Sequence, residues 1–569
     1  MVLFIIVTYM LILLALGLMS GRKSRGTSKD FFVASHSIGP FLLLMSVFGT
    51  TMTAFALVGS TGKAFERGIG TYGLMASSSG LVHAACFFLI GIRLWSLGKK
   101  YGFVTQIQFF RERFESRTFG FVLFPVLVAL VIPYLLIGVI GAGKTIQPVT
   151  AGMFSFFKDP NPIMDGGVPP WLSGLVVCIV VLAYVFTGGS RGAAWANTFQ
   201  TLVFMVMGVV AFVFILRSLG GLENAANVVP RVTGKGTIVQ DYGINLETHK
   251  VEKLAQPKVV ASLVDKERAG VLANTRPHLA RGTVEVEYKT KAPDGTLVDT
   301  HRELGVPLPM FLSYLLIPLS VGMFPHLFQH WLTARSAKAF KLTLVAHPLC
   351  IMIVWVPCVL IGIWASGLLP FGMNPSAVLS KVINDLIASP ALTGFLTAGV
   401  LAAIMSSLDS QFLCLGTMFT TDIVLNVAGK DRFTDKQTIW IARAFIIAIV
   451  AITYIIAMIA IKSNVFDLAI WCFSGFAGLT PMVIAALYWK RANQYGGYAS
   501  VIAVVATWSY FFKMAYEETG KLGGEYTVAG GTMPVVFCVL AGAVAMIAVS
   551  LITPKPSDET IRKFFPESL

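Results

Sequence analysis

The sequence predicts an all-α polytopic membrane protein, and three observations support this fold class. Hydrophobic residues make up 55% of the 569 residues and charged residues only 13%, with a mean hydropathy of +0.74. No soluble globular protein of this size has such a composition. Apolar runs of the roughly 20 residues that a membrane helix needs recur along the chain. One long polar segment, residues 218–306, interrupts them.

The apolar runs indicate about thirteen transmembrane helices. The run from Val2 to Met19 has no basic segment before it, so it is interpreted as a first membrane helix rather than a signal peptide. A chain with thirteen spans that begins outside the cell ends inside it. The spans lie near residues 3–20, 38–62, 71–97, 117–143, 170–188, 196–217, 307–333, 343–371, 390–420, 439–462, 464–490, 497–516 and 532–553.

The basic residues set the expected orientation. The net charge of +15 raises nucleic acid as a partner, but many Lys and Arg residues lie in short loops beside the apolar runs. There they act as topology signals and contact anionic membrane lipid. We therefore expect no nucleic acid, a plasma or inner membrane location, an outside N-terminus and a cytoplasmic C-terminus. The loops placed in the cytoplasm carry Arg22, Lys23, Arg25, Lys29, Lys99, Lys100, Arg111, Arg113, Arg335, Lys338, Lys341, Lys430, Arg432, Lys436, Lys490 and Arg491.

The cysteines give no sign of a disulfide framework. All seven fall inside apolar runs, and no two of them pair in a loop. They are interpreted as small buried hydrophobic residues rather than as disulfides or metal ligands. They are Cys86, Cys178, Cys350, Cys358, Cys414, Cys472 and Cys538.

Residues 218–306 are expected to form a small, partly structured extracytoplasmic insert. Thr283 to Thr290 alternates, Ala292 to Gly295 is a turn signal, and Leu297 to Thr300 resumes the alternation. This pattern predicts a β-hairpin. The low hydrophobicity of the segment leaves a disordered spacer as the alternative.

The most informative stretch runs from Ala402 to Gln411, inside the apolar segment from Phe395 to Thr420. It places hydroxyls, a carboxylate and an amide at membrane depth, where polar groups without partners cost several kcal/mol each. A polar run in a membrane helix predicts a site, and hard oxygen ligands suit a hard cation such as Na⁺. The alternative is a helix–helix contact made by the serines.

Two predicted spans contain residues that break helices. The second span contains Gly49 and Gly59 among Ser and Thr residues, and the seventh contains Pro318, Gly322 and Pro325. Breaks of this kind expose backbone carbonyls and half-helix ends, which transporters use to hold ions and solutes near the membrane midplane.

Four motifs, which follow one another along the chain in the family's order, resemble the sodium:solute symporter family over nearly the whole chain except the insert. Ala402 to Gln411 resembles the eighth core helix of that family, and Tyr184 to Gln200 resembles its signature after the fourth core helix. Met45 to Gly59 resembles its broken first core helix, and Gly322 to His326 its Gly-x-x-Pro-His element.

The resemblance implies ten core helices in two inverted five-helix repeats. The expected divisions are an extra N-terminal helix and loop (1–37), the first repeat (38–217), the insert (218–306), the second repeat (307–490), and two C-terminal helices with a tail (491–569). It also implies a Na⁺ site between the first and eighth core helices. Carried over by motif, its ligands are the carbonyls of Gly49, Met52 and Ala403 and the hydroxyls of Ser406 and Ser407. Close helix packing is the alternative role for Gly49.

Asn197 departs from the family pattern, because many relatives have Asp at this position. Where relatives hold a second Na⁺ with a hydroxyl residue on the eighth helix, this chain has Asp409. We hypothesise that Asp409 and Asn197 form a second cation or proton site, with Ser410 as a third member. The alternative is that Asp409 bonds a neighbouring helix end.

By position in the family, the solute contacts are expected from Thr53, Ala54, Phe55, Tyr134, Ile317, Val321 and Phe324. The first core helix lacks the amide and carboxylate side chains with which sugar-carrying relatives hold their substrate. Ile317 and Val321 stand where proline-carrying relatives have aromatic residues. An apolar pocket with hydroxyls suits a monocarboxylate, a pantothenate-like acid or an apolar amino acid. Packing alone is the alternative for the three aromatic residues.

Two further groups are interpreted as structural. His326 and His330 are one helical turn apart, but no third metal ligand accompanies them, so we expect a structural or gating role. Lys63, Glu66 and Arg67 are expected to form a solvated cluster at the outer end of the second span.

The predicted function is Na⁺-coupled symport of a small organic solute by alternating access. The sequence has no nucleophile–base pair, phosphate loop or metal cluster of an enzyme. A membrane sensor on a transporter fold, a proton-coupled symporter and a channel are the alternatives. The absence of a repeated filter counts against the channel.

Overall fold

The computed structural model describes residues 1–21, 26–34, 37–75, 78–159, 164–280, 282–291, 296–429 and 432–565. Four of the predicted cytoplasmic basic residues, Arg22, Lys23, Arg25 and Lys430, lie outside the described residues. The predicted turn from Ala292 to Gly295 also lies outside them.

The chain before the sheet is helical. Two π-helical turns, Phe55–Gly59 and Phe87–Gly91, lead into the fourth and seventh helices. The helices are α1 (Val2–Gly21), α2 (Ser28–Val33), α3 (Pro40–Thr51), α4 (Ser60–Arg67), α5 (Gly70–Met75), α6 (Ser79–Cys86), α7 (Ile92–Tyr101), α8 (Gln106–Arg113), α9 (Phe119–Val149), α10 (Pro170–Ser218) and α11 (Leu222–Val228).

The remaining helices include one short helix within the insert, and the others follow the insert. A 3₁₀ turn, Ile317–Gly322, separates α13 from α14, and a π-helical turn, Phe419–Val424, extends α17. The helices are α12 (Ala269–Leu272), α13 (Leu308–Tyr314), α14 (Pro325–Thr333), α15 (Phe340–Ala365), α16 (Val378–Leu386), α17 (Pro390–Met418), α18 (Leu425–Ala428), α19 (Asp435–Ile459), α20 (Val465–Tyr488), α21 (Gln494–Thr519), α22 (Val535–Ile552) and α23 (Asp558–Phe564).

The insert folds as an antiparallel five-stranded sheet in the order β1-β2-β3-β4-β5. The predicted hairpin is confirmed, because Val284 pairs with Leu304 and Lys291 with Leu297. The alternative of a disordered spacer is therefore wrong. A separate small core under the sheet includes Phe371 from the bundle. The strands are β1 (Arg231–Val232), β2 (Thr237–Asn245), β3 (Lys250–Leu263), β4 (Val284–Lys291) and β5 (Leu297–Leu304).

The described helices account for the predicted spans. Ten are long and apolar enough to cross a membrane, and two bent pairs bring the number to 12. One of the ten, α10, runs for 49 residues, but Gly189 inside it has non-helical φ 52° and ψ −150°. Dividing α10 there separates the predicted fifth and sixth spans. The close approach of Phe31 to Gly189 leaves no room for a side chain at this kink.

The two bent pairs stand at equivalent places in the predicted repeats. Pro40–Thr51 and Phe55–Arg67 meet at 55°, and Leu308–Gly322 and Pro325–Thr333 meet at 49°. Each pair opens a series of five spans, as the five-plus-five architecture requires. The residue boundaries proposed for the domains stay a prediction.

The polar run lies in the most enclosed helix of the bundle. Every residue of α17 from Leu396 to Met418 is buried, and α17 packs against α1, α3, α9, α10 and α19. Ser389 caps its N-terminus by accepting from the Leu392 N–H at 3.3 Å. The side chains of Ala402 to Gln411 therefore face protein on all sides rather than lipid.

Candidate functional site

The break after α3 is held open by local Thr contacts. Met52 leaves the helix with φ −92° and ψ 84°. The Thr51 hydroxyl donates back to the carbonyls of Val47 and Phe48, at 3.1 and 2.9 Å. The Thr53 hydroxyl accepts from the Phe55 N–H at 3.0 Å and starts the next half-helix. Thr favours such bonds over an uninterrupted helix.

The predicted ion-site residues of α3 and α17 meet at this break. The Ser406 hydroxyl lies 2.8 Å from the Gly49 carbonyl oxygen and 3.0 Å from that of Ala403. In return, the Thr50 hydroxyl donates to the Ser406 carbonyl at 3.2 Å. All four residues are buried. Carbonyl and hydroxyl oxygens without a carboxylate are a donor set suited to a hard cation that must be released again.

Met52 and Ser407 lie beside this contact. Met52 is fully buried at the end of α3. The Ser407 hydroxyl donates to the Ile404 carbonyl of its own helix at 2.9 Å, so no hydrogen bond joins it to α3 in the described structure. A hydroxyl bonded to its own helix keeps a lone pair that it can turn toward a cation.

Gly49 also has a packing role. A Cβ at this position would lie 2.2 Å from the Thr201 hydroxyl oxygen of α10. That hydroxyl in turn donates to the Met45 carbonyl at 3.0 Å. Close packing, the alternative reading of Gly49, is therefore present together with the carbonyl contact to Ser406.

Asp409 and Asn197 are brought together, and both are fully buried. In the amide orientation that satisfies its partners, the Asn197 nitrogen lies 2.8 and 3.0 Å from the two carboxylate oxygens of Asp409. The same nitrogen lies 3.1 Å from the Ser406 carbonyl, and the Asn197 oxygen accepts from the Ser410 hydroxyl at 2.9 Å. This polar cluster therefore adjoins the contact between Ser406 and Gly49.

Sequence reasoning missed three members of this cluster. The Tyr184 hydroxyl donates to Asp409 at 2.9 Å. His330 Nε2 lies 3.0 Å from the Ser410 hydroxyl, and the Gln200 amide oxygen lies 3.2 Å from the Asn197 nitrogen. In the sequence, each of these residues is only a polar side chain inside an apolar run. That pattern indicates a buried polar group but does not identify its hydrogen-bond partner.

Five of the seven predicted solute residues line one small cavity: Phe55, Tyr134, Ile317, Val321 and Phe324. Phe473 joins the three rings, with centroids 5.1 Å from Phe55, 5.2 Å from Tyr134 and 5.5 Å from Phe324. The cavity holds about 30 Å³, enough for a water molecule or two but not for an organic solute. In this conformation the rings leave no room for an organic solute.

Thr53 and Ala54 lie outside the lining of this cavity. The Thr53 hydroxyl accepts a hydrogen bond from the Phe55 N–H and is also hydrogen-bonded to the Tyr134 side chain. Ala54 packs against Gly141 of α9, where an added Cβ would approach the Ala54 methyl to 2.8 Å. The lining residues that the sequence did not indicate are Thr51, Ser79, His83, Tyr314, Pro318, Ser320, Trp355 and Phe473.

The solvated cluster expected at the end of α4 is wrong for Lys63. Its side chain is only 2% exposed, and Nζ lies 3.3 Å from Asp467 and 2.8 Å from Glu525. Arg67 pairs with Glu303 of β5 at 2.7 Å and with Glu525 at 3.0 Å. Burial opposes ionisation of Glu525, but Lys63 and Arg67 outweigh it and hold its pKa well below the usual range.

The comparisons with known proteins establish the family. The model of the sodium:solute symporter family matches residues 31–503. The chain belongs to this family. It is thus a multi-pass membrane transporter rather than an enzyme, and sodium is its coupling ion.

The curated relatives are distant in sequence. An osmoregulated proline transporter of Bacillus subtilis is 26% identical over 294 residues, which cover 50% of this chain and 56% of that protein. Sodium/proline symporter 2 of Staphylococcus saprophyticus is 23% identical over 572 residues, covering 97% of this chain and 93% of the relative.

Solved structures share the fold. A substrate-bound, outward-open Na⁺-coupled sialic acid symporter has a TM-score of 0.66 at 15% identity, with 98% of each chain covered. A nucleobase-cation-symport-1 family transporter in a closed conformation has a TM-score of 0.50 at 11% identity, with 94% of this chain and 97% of that chain covered. At these identities the likeness establishes the fold alone.

Proposed function

We propose that this chain couples Na⁺ entry to uptake of a small organic solute by alternating access, with Na⁺ held where α17 crosses the break of α3. The ligands would be the carbonyls of Gly49, Met52 and Ala403 and the hydroxyls of Ser406 and Ser407. The observation that carries the proposal is the 2.8 Å contact between the Ser406 hydroxyl and the Gly49 carbonyl. It joins the two motifs that the family places around its ion.

The solute would be a monocarboxylate, a pantothenate-like acid or an apolar amino acid, bound between Phe55, Tyr134, Ile317, Val321 and Phe324. The apolar rings suit an apolar body. Proline belongs in the same test, because the two curated relatives are named for it. We also propose that the N-terminus and the insert face outside and the C-terminus faces the cytoplasm.

The experiment that tests the ion site compares thermal unfolding of the purified protein in NaCl and in choline chloride at equal ionic strength. A ligand present at 100 times its Kd stabilises by about 2.7 kcal/mol. Wild type should be stabilised by Na⁺, and Ser406→Ala/Ser407→Ala should not. The matched control is Ser474→Ala, since the buried Ser474 hydroxyl bonds only its own helix, at 2.7 Å. An equal Na⁺ response in wild type and the double variant would contradict the proposed ligands.

The polar cluster of Asp409 and Asn197 is proposed as a second cation or proton site. Asp409→Asn removes the only carboxylate of this cluster among the described residues, so the Na⁺ or pH dependence of transport should change. Asp422→Asn is the control, because Asp422 is equally buried near the end of the same span but is not a member of the cluster. An unchanged Na⁺ stoichiometry and pH profile of transport in Asp409→Asn would contradict this assignment. A changed pH profile with unchanged Na⁺ stoichiometry would favour proton coupling.

A further inference from the structure

The solute cavity has a polar wall that the predicted solute residues do not include. The wall consists of Thr51 at the end of α3, Ser79 and His83 of α6, and Trp355 of α15. Both rings are buried, with His83 7% and Trp355 3% exposed. The remaining lining residues named above are mostly apolar rings and aliphatic side chains.

Two nitrogen atoms of this polar wall are buried without a hydrogen-bond partner, His83 Nδ1 and Trp355 Nε1. Leaving such an atom unpaired costs about 1–3 kcal/mol, so each one requires an explanation. Since both residues line the cavity, the polar group of a bound solute would supply the missing partners.

His347 supports the polar wall from behind. Its Nε2 lies 3.2 Å from the Thr51 hydroxyl, and the proton of that hydroxyl is directed to the carbonyls of Val47 or Phe48. Thr51 therefore accepts from His347, which assigns the proton to Nε2. The His347 and His83 rings lie 5.4 Å apart. His347 is thus a positioning residue that orients Thr51 and packs against His83.

The polar wall offers both a donor and an acceptor. The Trp355 indole can only donate, whereas a neutral His83 imidazole donates through one nitrogen and accepts through the other. With His83 Nδ1 as the accepting nitrogen, a head group that satisfies both residues must carry an acceptor for the Trp355 N–H and an N–H or O–H donor for His83. A carboxylate with a hydroxyl or amino group on the adjacent carbon has this combination.

The ion site and the cavity adjoin through two consecutive residues. Thr50 donates to the Ser406 carbonyl on the ion side, while Thr51 lines the cavity. None of the described residues that line the cavity is Lys, Arg, Asp or Glu. A buried carboxylate without a counter-charge is costly. The carboxylate of a hydroxy acid that enters together with Na⁺ adds no net charge, which gives coupling an electrostatic reason. An amino acid carries the counter-charge of its carboxylate on its own ammonium group.

We infer that the polar wall of Thr51, Ser79, His83 and Trp355 binds the head of the solute, and that the solute is a small 2-hydroxy or 2-amino monocarboxylate with an apolar body. This inference rests on the proposed function and narrows its substrate class. The rings of Phe55, Tyr134, Phe324 and Phe473 receive the apolar body.

The test uses two pairs of hydroxy acids and their deoxy analogues, which differ only in the hydroxyl: L-lactate and propionate, and L-2-hydroxyisovalerate and isovalerate. Two amino-acid pairs, in which the ammonium donor also adds a positive charge, are L-leucine and 4-methylpentanoate, and L-proline and cyclopentanecarboxylate. Their binding is measured by thermal unfolding of the purified full-length protein in NaCl and in choline chloride. We expect at least one donor-bearing member to bind wild type, in NaCl, at least tenfold more tightly than its partner. A site built for a donor discriminates strongly against an analogue that lacks it.

Variants locate the effect. Trp355→Phe keeps the ring and removes the N–H, and His83→Phe removes both ring nitrogens; each should weaken binding at least tenfold while leaving the Na⁺ stabilisation in place. His83→Asn, which keeps a donor and an acceptor, should restore part of the affinity. The control is Trp331→Phe, because Trp331 Nε1 is also buried without a partner but Trp331 does not line the cavity.

The outcomes separate the two claims. Equal binding of both members of every pair, or unchanged affinity in Trp355→Phe and His83→Phe, overturns the inference. Na⁺ stabilisation of wild type without protection by any compound also overturns it but leaves the proposed Na⁺ coupling standing. If Na⁺ itself has no effect on wild type, the proposed function fails and the inference falls with it.

Discussion

The two broken helices bend by similar angles, 55° and 49°, but the groups around them differ. At the first break, the Gly49 carbonyl contacts the Ser406 hydroxyl, and Lys63 of α4 pairs with two carboxylates. At the second break, Gln106 Nε2 donates to the Met323 carbonyl at 3.2 Å. The α14 half is held by neutral bonds, such as that from Gln329 Nε2 to the Phe32 carbonyl at 2.6 Å.

This contrast indicates a division of labour between two equivalent positions in the repeats. At the first break, the Gly49 carbonyl is bonded by a hydroxyl group, with which a cation can compete, and the following half-helix α4 carries charge. The second break has an amide on its freed carbonyl and the aliphatic side chains of Ile317 and Val321 along its 3₁₀ turn. Under the proposed function, the same bend would serve an ion in one repeat and an apolar solute wall in the other. The predictions below test this difference.

The largest effect is expected at the charged half of the first broken helix. Lys63→Met leaves Asp467 and Glu525 without their buried partner, and breaking a buried pair typically costs about 3–5 kcal/mol. Thermal unfolding should show a large loss of stability. Adding Asp467→Asn should recover part of the loss, because one unpaired carboxylate is removed. Lys381→Met is the comparison, since Lys381 pairs with Asp385 but its side chain is 18% exposed. A loss at Lys63 no larger than at Lys381 would refute the buried-charge account.

Gly49→Ala should destabilise the protein next, by about 1–3 kcal/mol, because the new methyl overpacks against Thr201. Gly49→Ala/Thr201→Ala should regain most of this stability, since the clashing oxygen is removed. The carbonyl of residue 49 is still present in the double variant, so Na⁺ stabilisation should return with it. Recovered stability without recovered Na⁺ response would show that the Thr201 contact itself shapes the ion site.

At the second break, Gln106→Met should cost about 1 kcal/mol, the usual net value of one hydrogen bond. The stabilisation by Na⁺ should be unchanged, because Gln106 contacts Met323 and not the first break. Gln147→Met provides the matched control, since that amide donates to Asp159, in a segment between α9 and α10. Loss of the Na⁺ response in Gln106→Met would contradict the division between the two breaks.

The smallest effect is expected where α4 meets the insert. Glu303→Gln should cost only about 0–1 kcal/mol, because the Glu303 side chain is 40% exposed and Arg67 keeps its contact with Glu525 at 3.0 Å. Thermal unfolding measures the loss. A loss of several kcal/mol in Glu303→Gln would overturn this assignment.

The ionised Glu525 in the same network sets a pH expectation. Its folded pKa lies below its unfolded value, so its contribution to stability is complete above the unfolded pKa and is lost only as pH falls through the folded value. Between pH 8 and pH 5 the contribution of Glu525 should stay constant. Comparing thermal unfolding of Asp467→Asn and Asp467→Asn/Glu525→Gln across this range tests it without interference from the Asp467 carboxyl, which shares Lys63 with Glu525. A difference that shrinks by pH 6 would contradict the assignment.

Local patterns predicted the breaks and the hairpin. Gly, Thr and Pro residues mark both bent spans, and the alternation from Thr283 to Thr290 gave β4. The polar run pointed to the Asp409 cluster because a carboxylate in an apolar helix needs partners. The five-stranded extent of the sheet was missed, since β3 is mostly exposed and contains Pro257, which weakens any strand pattern.

Such local patterns could not predict contacts between residues that are far apart in the sequence. The sequence predicts a solvated Lys63 because its partners, Asp467 and Glu525, follow 404 and 462 residues later. His83 and Trp355 sit in apolar spans without a motif, so only the cavity shows that they face the same space. The partners of these residues are distant in sequence, so only the three-dimensional structure shows what each side chain contacts.

The contact between Arg67 and the insert has a mechanical consequence. Arg67 binds Glu303 through its guanidinium, and its carbonyl accepts from the Gly305 N–H at 2.8 Å. Only residues 305–307 separate β5 from α13, which begins the second broken helix. The end of β5 thus connects the end of one broken helix to the start of the other. If α4 moves away from β5, it must either break these contacts or displace α13, so the two broken helices are mechanically linked at this point.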